Sequence, residues 1–315
     1  MDWNYDRNIL FSFGGNRIMK ISSDSLRIFD GRSCNVGEGP IAIGLTNNEV
    51  WWVDILGKKV LSKNITNHAT RELSLEEDVG FVIPCSNSDF IVGTASGPLR
   101  ITRDGVTSSL PTRESASGKA DEFPMRWNDA KVAPDGHLWL GTIAYDVDAH
   151  PTDCSLYRLD KSGSTLTKVV EGIGISNGLA WSADGKKMFF IDSITLSIDS
   201  FDYHDGELAN RERMWTAPDS SFGTPDGMCI DSEDGLWVAF WGGGKVRRFN
   251  SNFEVTDEID LPQSLVTSCA FAGPDLNLLV ITTARFNQAI ENADLGKTYI
   301  AQVPIPGTRT KLFPS

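Results

Sequence analysis

Short strand-like segments recur along the whole chain, and each is opened by a polar turn signal. Apolar, β-branched and aromatic residues follow the turn, and none of the segments has the 3.6-residue period of a helix. The six segments are NNEVWWVDI (47–55), NSDFIVGTA (87–95), DGHLWLGTI (135–143), DGKKMFFID (184–192), DGLWVAFW (234–241) and PDLNLLVIT (274–282). Their spacing of roughly 40 to 50 residues is typical of propeller blades rather than of helical repeats.

The repeat predicts an all-β fold, a six-bladed β-propeller in a single domain over residues 1–315. Each blade is expected to be a four-stranded antiparallel sheet beside a central channel. The last blade supplies only three strands of its own, TSCAFAG, LNLLVIT and TYIAQVP. We expect its fourth strand to come from the N-terminal SLRIFDG (25–31), because joining both ends of the chain in one blade removes an exposed sheet edge.

The strand before each turn signal is expected to be the innermost of its blade. These strands begin with Glu38, Val79, Asn128, Asn177, Asp226 and Thr267. Since equivalent ends of inner strands converge on one mouth of the channel, these six side chains should form a ring. A small residue follows several of them and keeps the crowded axis open, as at Gly39, Gly178 and Gly227.

Four members of the ring carry strong oxygen ligands, namely Glu38, Asn128, Asn177 and Asp226. One such residue at the start of a strand ordinarily caps a turn, but four in register favour a functional site. Carboxylate and carboxamide oxygens suit hard cations such as Ca²⁺, Mg²⁺ or Mn²⁺. A divalent ion with open positions polarises a carbonyl and acidifies water, so the ring indicates metal-assisted hydrolysis.

Composition narrows the range of partners and compartments. With 42 acidic against 29 basic residues, the surface should repel nucleic acid and anionic lipid, which leaves small molecules as the expected partners. No apolar run reaches the roughly 18 residues of a membrane helix, and MDWNYDRN lacks the features of a signal peptide, so a cytoplasmic protein is expected. The five scattered cysteines predict neither disulfides nor a thiolate zinc site.

Two short motifs imitate other catalytic sites. GISNG (174–178) matches the pattern of a nucleophile elbow, but strand-like residues follow it where a helix is required, so Ser176 is not expected to be a nucleophile. WGGGK (241–245) lacks the spacing of a phosphate-binding loop and the hydroxyl residue after the lysine. It is expected to be a tight turn between strands.

The ordered motifs GEGP, WWVDI, RWNDAKVAPDGHLWLGT, SNGLAWSADGKKMFFIDS and PDGMCIDSEDGLWVA closely resemble the regucalcin/gluconolactonase family, also called the senescence marker protein family. The resemblance runs from about Asn35 to Arg285. It implies one divalent cation, with Ca²⁺, Zn²⁺, Mg²⁺ and Mn²⁺ all found among relatives. The implied ligands are Glu38, Asn177 and Asp226, which are also members of the ring.

The resemblance further implies hydrolysis of sugar-acid lactones. By analogy Asp226 would serve as both metal ligand and general base, and Arg126 and Asn128 would contact the substrate. Some animal members carry a substrate-contacting Glu where this chain reads GTIAYD, which places Asp146 there after Tyr145. The identity of the substrate therefore stays open.

Three alternatives are kept beside a metal-dependent lactonase. The first is a calcium-binding regulatory protein without turnover, since a metal site alone proves no catalysis. The others are a propeller that binds proteins and a catalytically different relative, such as a drug-responsive lactonase or a luciferin-regenerating enzyme. The polar segment RESASGKADEFP (113–124) is either a lid over the channel mouth or an ordinary surface loop.

Overall fold

The structure is a computed structural model that describes residues 10–13, 16–21, 25–44, 46–118, 121–286 and 295–315. Strands dominate this part of the chain, as the recurring strand-like segments predict. Three strands come before the first blade: β1 (Leu10–Phe13), β2 (Asn16–Lys20) and β3 (Arg27–Asp30).

The blades then follow one another along the chain, each a sheet of successive strands. Blade 1 contains β4 (Gly37–Ile43), β5 (Glu49–Asp54), β6 (Lys59–Asn64) and β7 (Thr70–Ser74), and blade 2 contains β8 (Val79–Pro84), β9 (Phe90–Thr94), β10 (Pro98–Ile101) and β11 (Thr107–Ser109). The short helix α1 (Arg113–Ser117) leads to blade 3, with β12 (Met125–Val132), β13 (Leu138–Ala144), β14 (Cys154–Leu159) and β15 (Leu166–Ile173). Among the described residues, no helix is long and apolar enough to cross a membrane.

The second half of the chain repeats the arrangement. Blade 4 contains β16 (Ser176–Trp181), β17 (Lys187–Asp192), β18 (Ser197–His204) and β19 (Glu207–Thr216), and blade 5 contains β20 (Thr224–Ile230), β21 (Leu236–Trp241), β22 (Lys245–Phe249) and β23 (Val255–Asp260). Blade 6 contains β24 (Val266–Ala272), β25 (Leu278–Thr283) and β26 (Thr298–Gln302). Short 3₁₀ turns occur at Ser193–Thr195 and Ser220–Phe222.

The first strand of every blade lies innermost, which confirms the six predicted inner segments. Each inner strand contacts the inner strand of the next blade, and β24 of blade 6 contacts β4 of blade 1, so the ring is closed. Burial follows this order. All residues of β8 and β16 are buried, whereas all residues of the outermost strands β7 and β11 are exposed.

The ring closes as predicted, and the N-terminal region adds one feature that the sequence did not reveal. Strand β3 pairs antiparallel with β26, with Asp30 opposite Thr298, and so completes blade 6. The hairpin of β1 and β2 instead extends blade 5, because β2 runs parallel to β23 with Met19 opposite Asp257. One domain over residues 1–315 stays a prediction, since residues such as 1–9 and 287–294 lie outside the described part of the chain.

Large aromatic side chains fill the sheets and the spaces between them. Trp52, Trp127, Trp139 and Trp237 are each 0% exposed. All five cysteines are buried and none forms a disulfide. The core therefore rests on apolar packing, as expected for a chain of this length.

Candidate metal centre

A β-bulge interrupts the inner strand of every blade at the same mouth of the channel. The pairing register shifts between Glu38 and Ile41 in blade 1, between Ser176 and Leu179 in blade 4, and between Pro225 and Met228 in blade 5. Blades 2, 3 and 6 have the corresponding shift at Val79/Val82, Trp127/Ala130 and Val266/Ser268. Because a bulge re-aims the side chains of the strand that carries it, six bulges in register define one site.

The predicted ring members lie at or beside these bulges. Glu38, Asn128, Asn177 and Asp226 are only 6 to 8% exposed, although they are polar or charged. The small residue after Asn177 is required by the crowded axis, because a Cβ added to Gly178 would lie 2.8 Å from the carbonyl oxygen of Asp226. The structure therefore places the backbones of blades 4 and 5 in close approach at the candidate site.

The two carboxamides of the ring are linked in a chain of hydrogen bonds. Asn128 Nδ2 donates to Asn177 Oδ1 at 2.9 Å, and Asn177 Nδ2 donates to Ser193 Oγ at 2.8 Å. Ser193 Oγ in turn donates to the carbonyl oxygen of Pro225 at 2.7 Å. Ser193 was missed at the sequence level, because it lies beyond the end of β17 and not on an inner strand.

Three carboxyl groups crowd the same buried space. Burial and the neighbouring Asp129 raise the pKa of Glu38 to about 8. Burial, Glu38 and Asp129 raise the pKa of Asp226 well above its ordinary value, and the positive charge of Arg126 offsets this only in part. In the metal-free protein these groups therefore resist ionisation, because each anion would lie in a low dielectric beside others.

Asp129 is the second residue that sequence reasoning passed over as a member of the site. It occupies the same bulge as Asn128, and burial raises the pKa of its carboxyl group although Lys131 and the backbone N–H of Ala130 favour the anion. Lys131 Nζ donates to the carbonyl oxygen of Met228 at 2.7 Å, so this cation is held within the channel. The Asn-Asp pair of RWND was the available signal, because both residues of a bulge can face the axis.

The donor set fits a hard divalent cation. Glu38 Oε1 is buried and has no hydrogen-bond partner among the described residues, while Oε2 accepts from the backbone N–H of Gly39. An unpaired carboxylate oxygen is costly to bury unless a cation lies beside it. Glu38, Asn177 and Asp226 together would offer a cation three oxygen ligands, and its charge would relieve the repulsion among the carboxylates.

A second group of potential ligands lies elsewhere, at Asp135, His137 and Asp205, whose ligand atoms are within 4.8 Å of one another. These atoms already have partners. Asp135 accepts from Tyr203 at 2.8 Å, and Asp205 pairs with the ammonium group of Lys161 at 3.1 Å. A nearby cation disfavours a metal ion there, so the channel site is the better candidate.

Arg126 lies near the carboxyl groups of Glu38 and Asp226. Its Nη1 donates to Asn128 Oδ1 at 2.7 Å, which links the two residues of the predicted substrate contact. Burial lowers the pKa of Arg126, and the nearby Tyr145, Asp78 and Glu38 oppose this effect.

Asp146, the remaining predicted substrate contact, bonds within its own turn. Its Oδ1 accepts from the backbone N–H of Ala149 at 3.1 Å, and the side chain is exposed. The preceding residue, Tyr145, bonds to a different blade: its hydroxyl group donates to Asp78 Oδ2 at 2.8 Å. A substrate contact by Asp146 stays a prediction.

The segment 113–124 is anchored at its start. The guanidinium group of Arg113 is buried, pairs with Asp121 at 2.6 Å and lies 5.1 Å from the ring centre of Trp127. Near its end, Phe123 stacks on His150 with ring centres 3.7 Å apart. These contacts attach the segment to blade 3, and a role as a lid stays a prediction.

The chain is similar in sequence to known proteins. Residues 36–285 match the sequence model described as the SMP-30/Gluconolactonase/LRE-like region. The chain is 33% identical to the regucalcin of Danio rerio over 253 residues, which cover 79% of this chain and 83% of that protein. It is 34% identical to the "Putative sugar lactone lactonase YvrE" of Bacillus subtilis, also over 253 residues, with 79% and 83% covered.

A solved structure agrees with these sequence matches. The fold superposes on a luciferin-regenerating enzyme with a TM-score of 0.82 and 28% identity, covering 92% of this chain and 99% of the other.

Proposed function

The chain belongs to the SMP-30/gluconolactonase/LRE-like family, and on that premise we propose that it is a metal-dependent lactonase that opens a sugar-acid lactone. The observation that carries this proposal is the burial of Glu38, Asn177 and Asp226 together with a Glu38 carboxylate oxygen that has no hydrogen-bond partner among the described residues. A stability role does not account for such a cluster, because it concentrates ionisable groups in a low dielectric. The substrate is a small molecule that enters from the mouth where the six bulges lie.

Glu38, Asn177 and Asp226 would hold one divalent ion, with Ca²⁺, Zn²⁺, Mg²⁺ and Mn²⁺ as candidates. When bound, the ion supplies a Lewis acid for the lactone carbonyl and for the negative charge that develops on its oxygen. The carboxylates compensate the charge of the ion and hold it at one end of the channel.

Asp226 is the proposed general base. Hydrolysis adds one water molecule to the internal ester, so a bond forms from the water oxygen to the carbonyl carbon and the ring C–O bond breaks. Asp226 takes a proton from the water and returns it to the ring oxygen as that oxygen leaves.

Arg126 and Asn128 are proposed to orient the substrate. Their side chains already share a hydrogen bond, and Asn128 is tied to Asn177. Hydroxyl groups of a sugar lactone would find donors and acceptors here, beside the reacting carbonyl. Such positioning converts binding into a correctly oriented attack and accounts for much of the rate of many enzymes.

Removal and restoration of the metal test the proposal. A panel of five- and six-membered aldonolactones is assayed in a pH-stat with the protein as prepared, after chelation, and after adding back each of the four ions. We expect chelation to abolish hydrolysis and the ions to restore it to different extents. Full activity in a sample verified to be metal-free would overturn the mechanism.

A second candidate function is a metal-binding protein without turnover. It is favoured by the similarity to regucalcin, which covers 79% of the chain, the same share as the similarity to the lactonase relative. The same panel separates the two functions. Stoichiometric metal binding without hydrolysis of any lactone would support the non-catalytic alternative.

A further inference from the structure

The backbone before each proposed metal ligand is held by a side chain from the preceding blade. In each case a carbonyl oxygen accepts one hydrogen bond across the boundary between blades. The three bonds are Thr267 Oγ1 to Gly37 O at 2.5 Å, Asn128 Nδ2 to Ser176 O at 2.8 Å, and Ser193 Oγ to Pro225 O at 2.7 Å. The ligands Glu38, Asn177 and Asp226 directly follow these carbonyl groups in the chain.

Ser193 differs from the other two donors because it touches two ligand-bearing blades at once. Besides the carbonyl of Pro225 it contacts the carboxamide of Asn177, whose Nδ2 donates to Ser193 Oγ. The residue is 3% exposed and begins a 3₁₀ turn capped by Asp192, whose carboxylate accepts from the backbone N–H of Ile194. A buried serine in a capped turn has little freedom to move.

The hydrogen bonds of Ser193 also determine which way the Asn177 amide faces. A hydroxyl group has one hydrogen, and here it is donated to Pro225. Toward Asn177 the hydroxyl oxygen can then only accept, so it requires the NH₂ group of the amide. Asn177 Oδ1 is thereby directed away from Ser193 and toward Asn128, whose Nδ2 donates to it at 2.9 Å.

We propose that Ser193 is a positioning residue of the metal centre, which orients the ligand oxygen of Asn177 and sets the position of the Asp226 backbone. Thr267 has a simpler version of the role, because its hydroxyl group bonds the carbonyl before Glu38 and Thr282 Oγ1 instead of a ligand side chain. The inference rests on the proposed metal site but not on turnover, so it is tested by metal affinity.

The first test is the substitution Ser193→Ala, with Mn²⁺ as the probe and free Mn²⁺ measured by electron paramagnetic resonance. Removal of groups that orient metal ligands typically weakens affinity by about 10- to 100-fold, and we expect a loss in this range. Ser200→Ala is the matched control, because Ser200 lies in the same blade, is 2% exposed and has a hydroxyl group without a partner. It should bind Mn²⁺ as the parent does.

A double substitution separates orientation from general packing. In an Asn177→Asp background the ligand has an oxygen on both sides, so an amide no longer needs to be oriented. Ser193→Ala should then cost clearly less affinity than it does beside Asn177. An equal loss in both backgrounds would overturn the orientation role, and a Kd within twofold of the parent for Ser193→Ala would overturn the whole proposal.

If Ser193→Ala fails to fold, variants of Thr267 test the same positioning proposal. Thr267→Val removes the hydroxyl group and should weaken Mn²⁺ binding, whereas Thr267→Ser retains it and should restore affinity. Equal affinity of the two Thr267 variants would contradict the proposal. If the parent binds no Mn²⁺, the metal centre itself is wrong, whereas binding without lactone hydrolysis would reject only the proposed enzyme activity.

Discussion

Two aspartates at opposite ends of the same inner strand, Asp226 and Asp231, are both buried but have very different neighbours. Asp226 lies near the start of β20, at the mouth that carries the bulges, and is 8% exposed. Asp231 directly follows the end of β20 and is 0% exposed. Both come from the same short segment, PDGMCID, and both are followed by turn or bulge geometry.

Asp231 is surrounded by donors. The guanidinium group of Arg248 donates to it at 2.6 Å, and Trp237 Nε1 donates at 3.0 Å. The backbone N–H groups of Glu233 and Gly235 each donate at 2.9 Å. Every lone pair that burial removes from water is thus replaced, so this carboxylate stabilises the fold.

Asp226 has neighbours of the opposite kind. Glu38 and Asp129 raise its pKa, and Arg126 is the cation that opposes them. An arrangement of this kind costs folding energy in the absence of a bound cation. We therefore infer that Asp231 stabilises the fold, and we propose that Asp226 binds a cation; four predictions test this division.

The largest expected effect is on catalysis by Asp226→Asn. The substitution keeps the size of the side chain and one ligand oxygen but removes the proposed base, which is typically worth about 10² to 10⁴ in rate. We expect kcat to fall by at least this factor at saturating metal with the best lactone of the panel. Asp275→Asn, at an exposed turn of blade 6, is the control. A variant that keeps more than about a tenth of the parental kcat would show that Asp226 is not the base.

The next effect is on stability, and it concerns the other aspartate. Asp231→Asn leaves Arg248 buried without its main counter-ion, and breaking a buried ion pair typically costs about 3 to 5 kcal/mol. Arg248 also contacts Glu233 and Asp257, so a value near the lower end is expected. Urea unfolding measures the loss, while Mn²⁺ affinity of the folded variant should match the parent. Unchanged stability would remove the contrast between the two ends.

The pH dependence of the metal-free protein comes third. Because burial raises the folded-state pKa of Glu38 from 4.5 to about 8, the folded protein binds more protons than the unfolded chain between these values. Stability should therefore fall as pH rises from about 4.5 to about 8, by up to about 1.4 kcal/mol per pH unit. Asp129 and Asp226 strengthen this trend, and Arg126 and Lys131 weaken it.

Glu38→Gln tests the assignment of this pH dependence. The variant should show a flatter decline of the melting temperature over the same pH range, measured in chelator by differential scanning calorimetry. A decline as steep as that of the parent would mean that Glu38 is not the group responsible.

The smallest effect is a gain in stability. Without metal, Asp226→Asn removes one of three mutually repelling carboxyl groups, so the metal-free variant should melt slightly higher than the metal-free parent. Substitutions that relieve a functional site typically gain about 0.5 to 2 kcal/mol. Asp231→Asn should lower the stability of the protein and metal-free Asp226→Asn should raise it, so the two changes are expected to have opposite signs. A lower melting temperature for metal-free Asp226→Asn would mean that the carboxylate contributes to the fold.

The repeat, the six inner strands and the ring position of Glu38, Asn177 and Asp226 were all predictable from the sequence. Each depends on local signals, since turn residues and alternating apolar positions act within a few residues of one another. The pairing of β3 with blade 6 was predictable as well, because an incomplete blade leaves an unpaired edge. Family motifs gave the same three ligand candidates.

Other features were decided only by the tertiary structure. The bulges, the contact of Ser193 with Asn177 and Pro225, and the placement of β2 on blade 5 arise where separate blades meet. Whether a buried aspartate stabilises or binds depends likewise on its neighbours in space. Asp226 and Asp231 are five residues apart in one sequence segment, but the charges around them come from different blades and outer strands, which the local pattern does not encode.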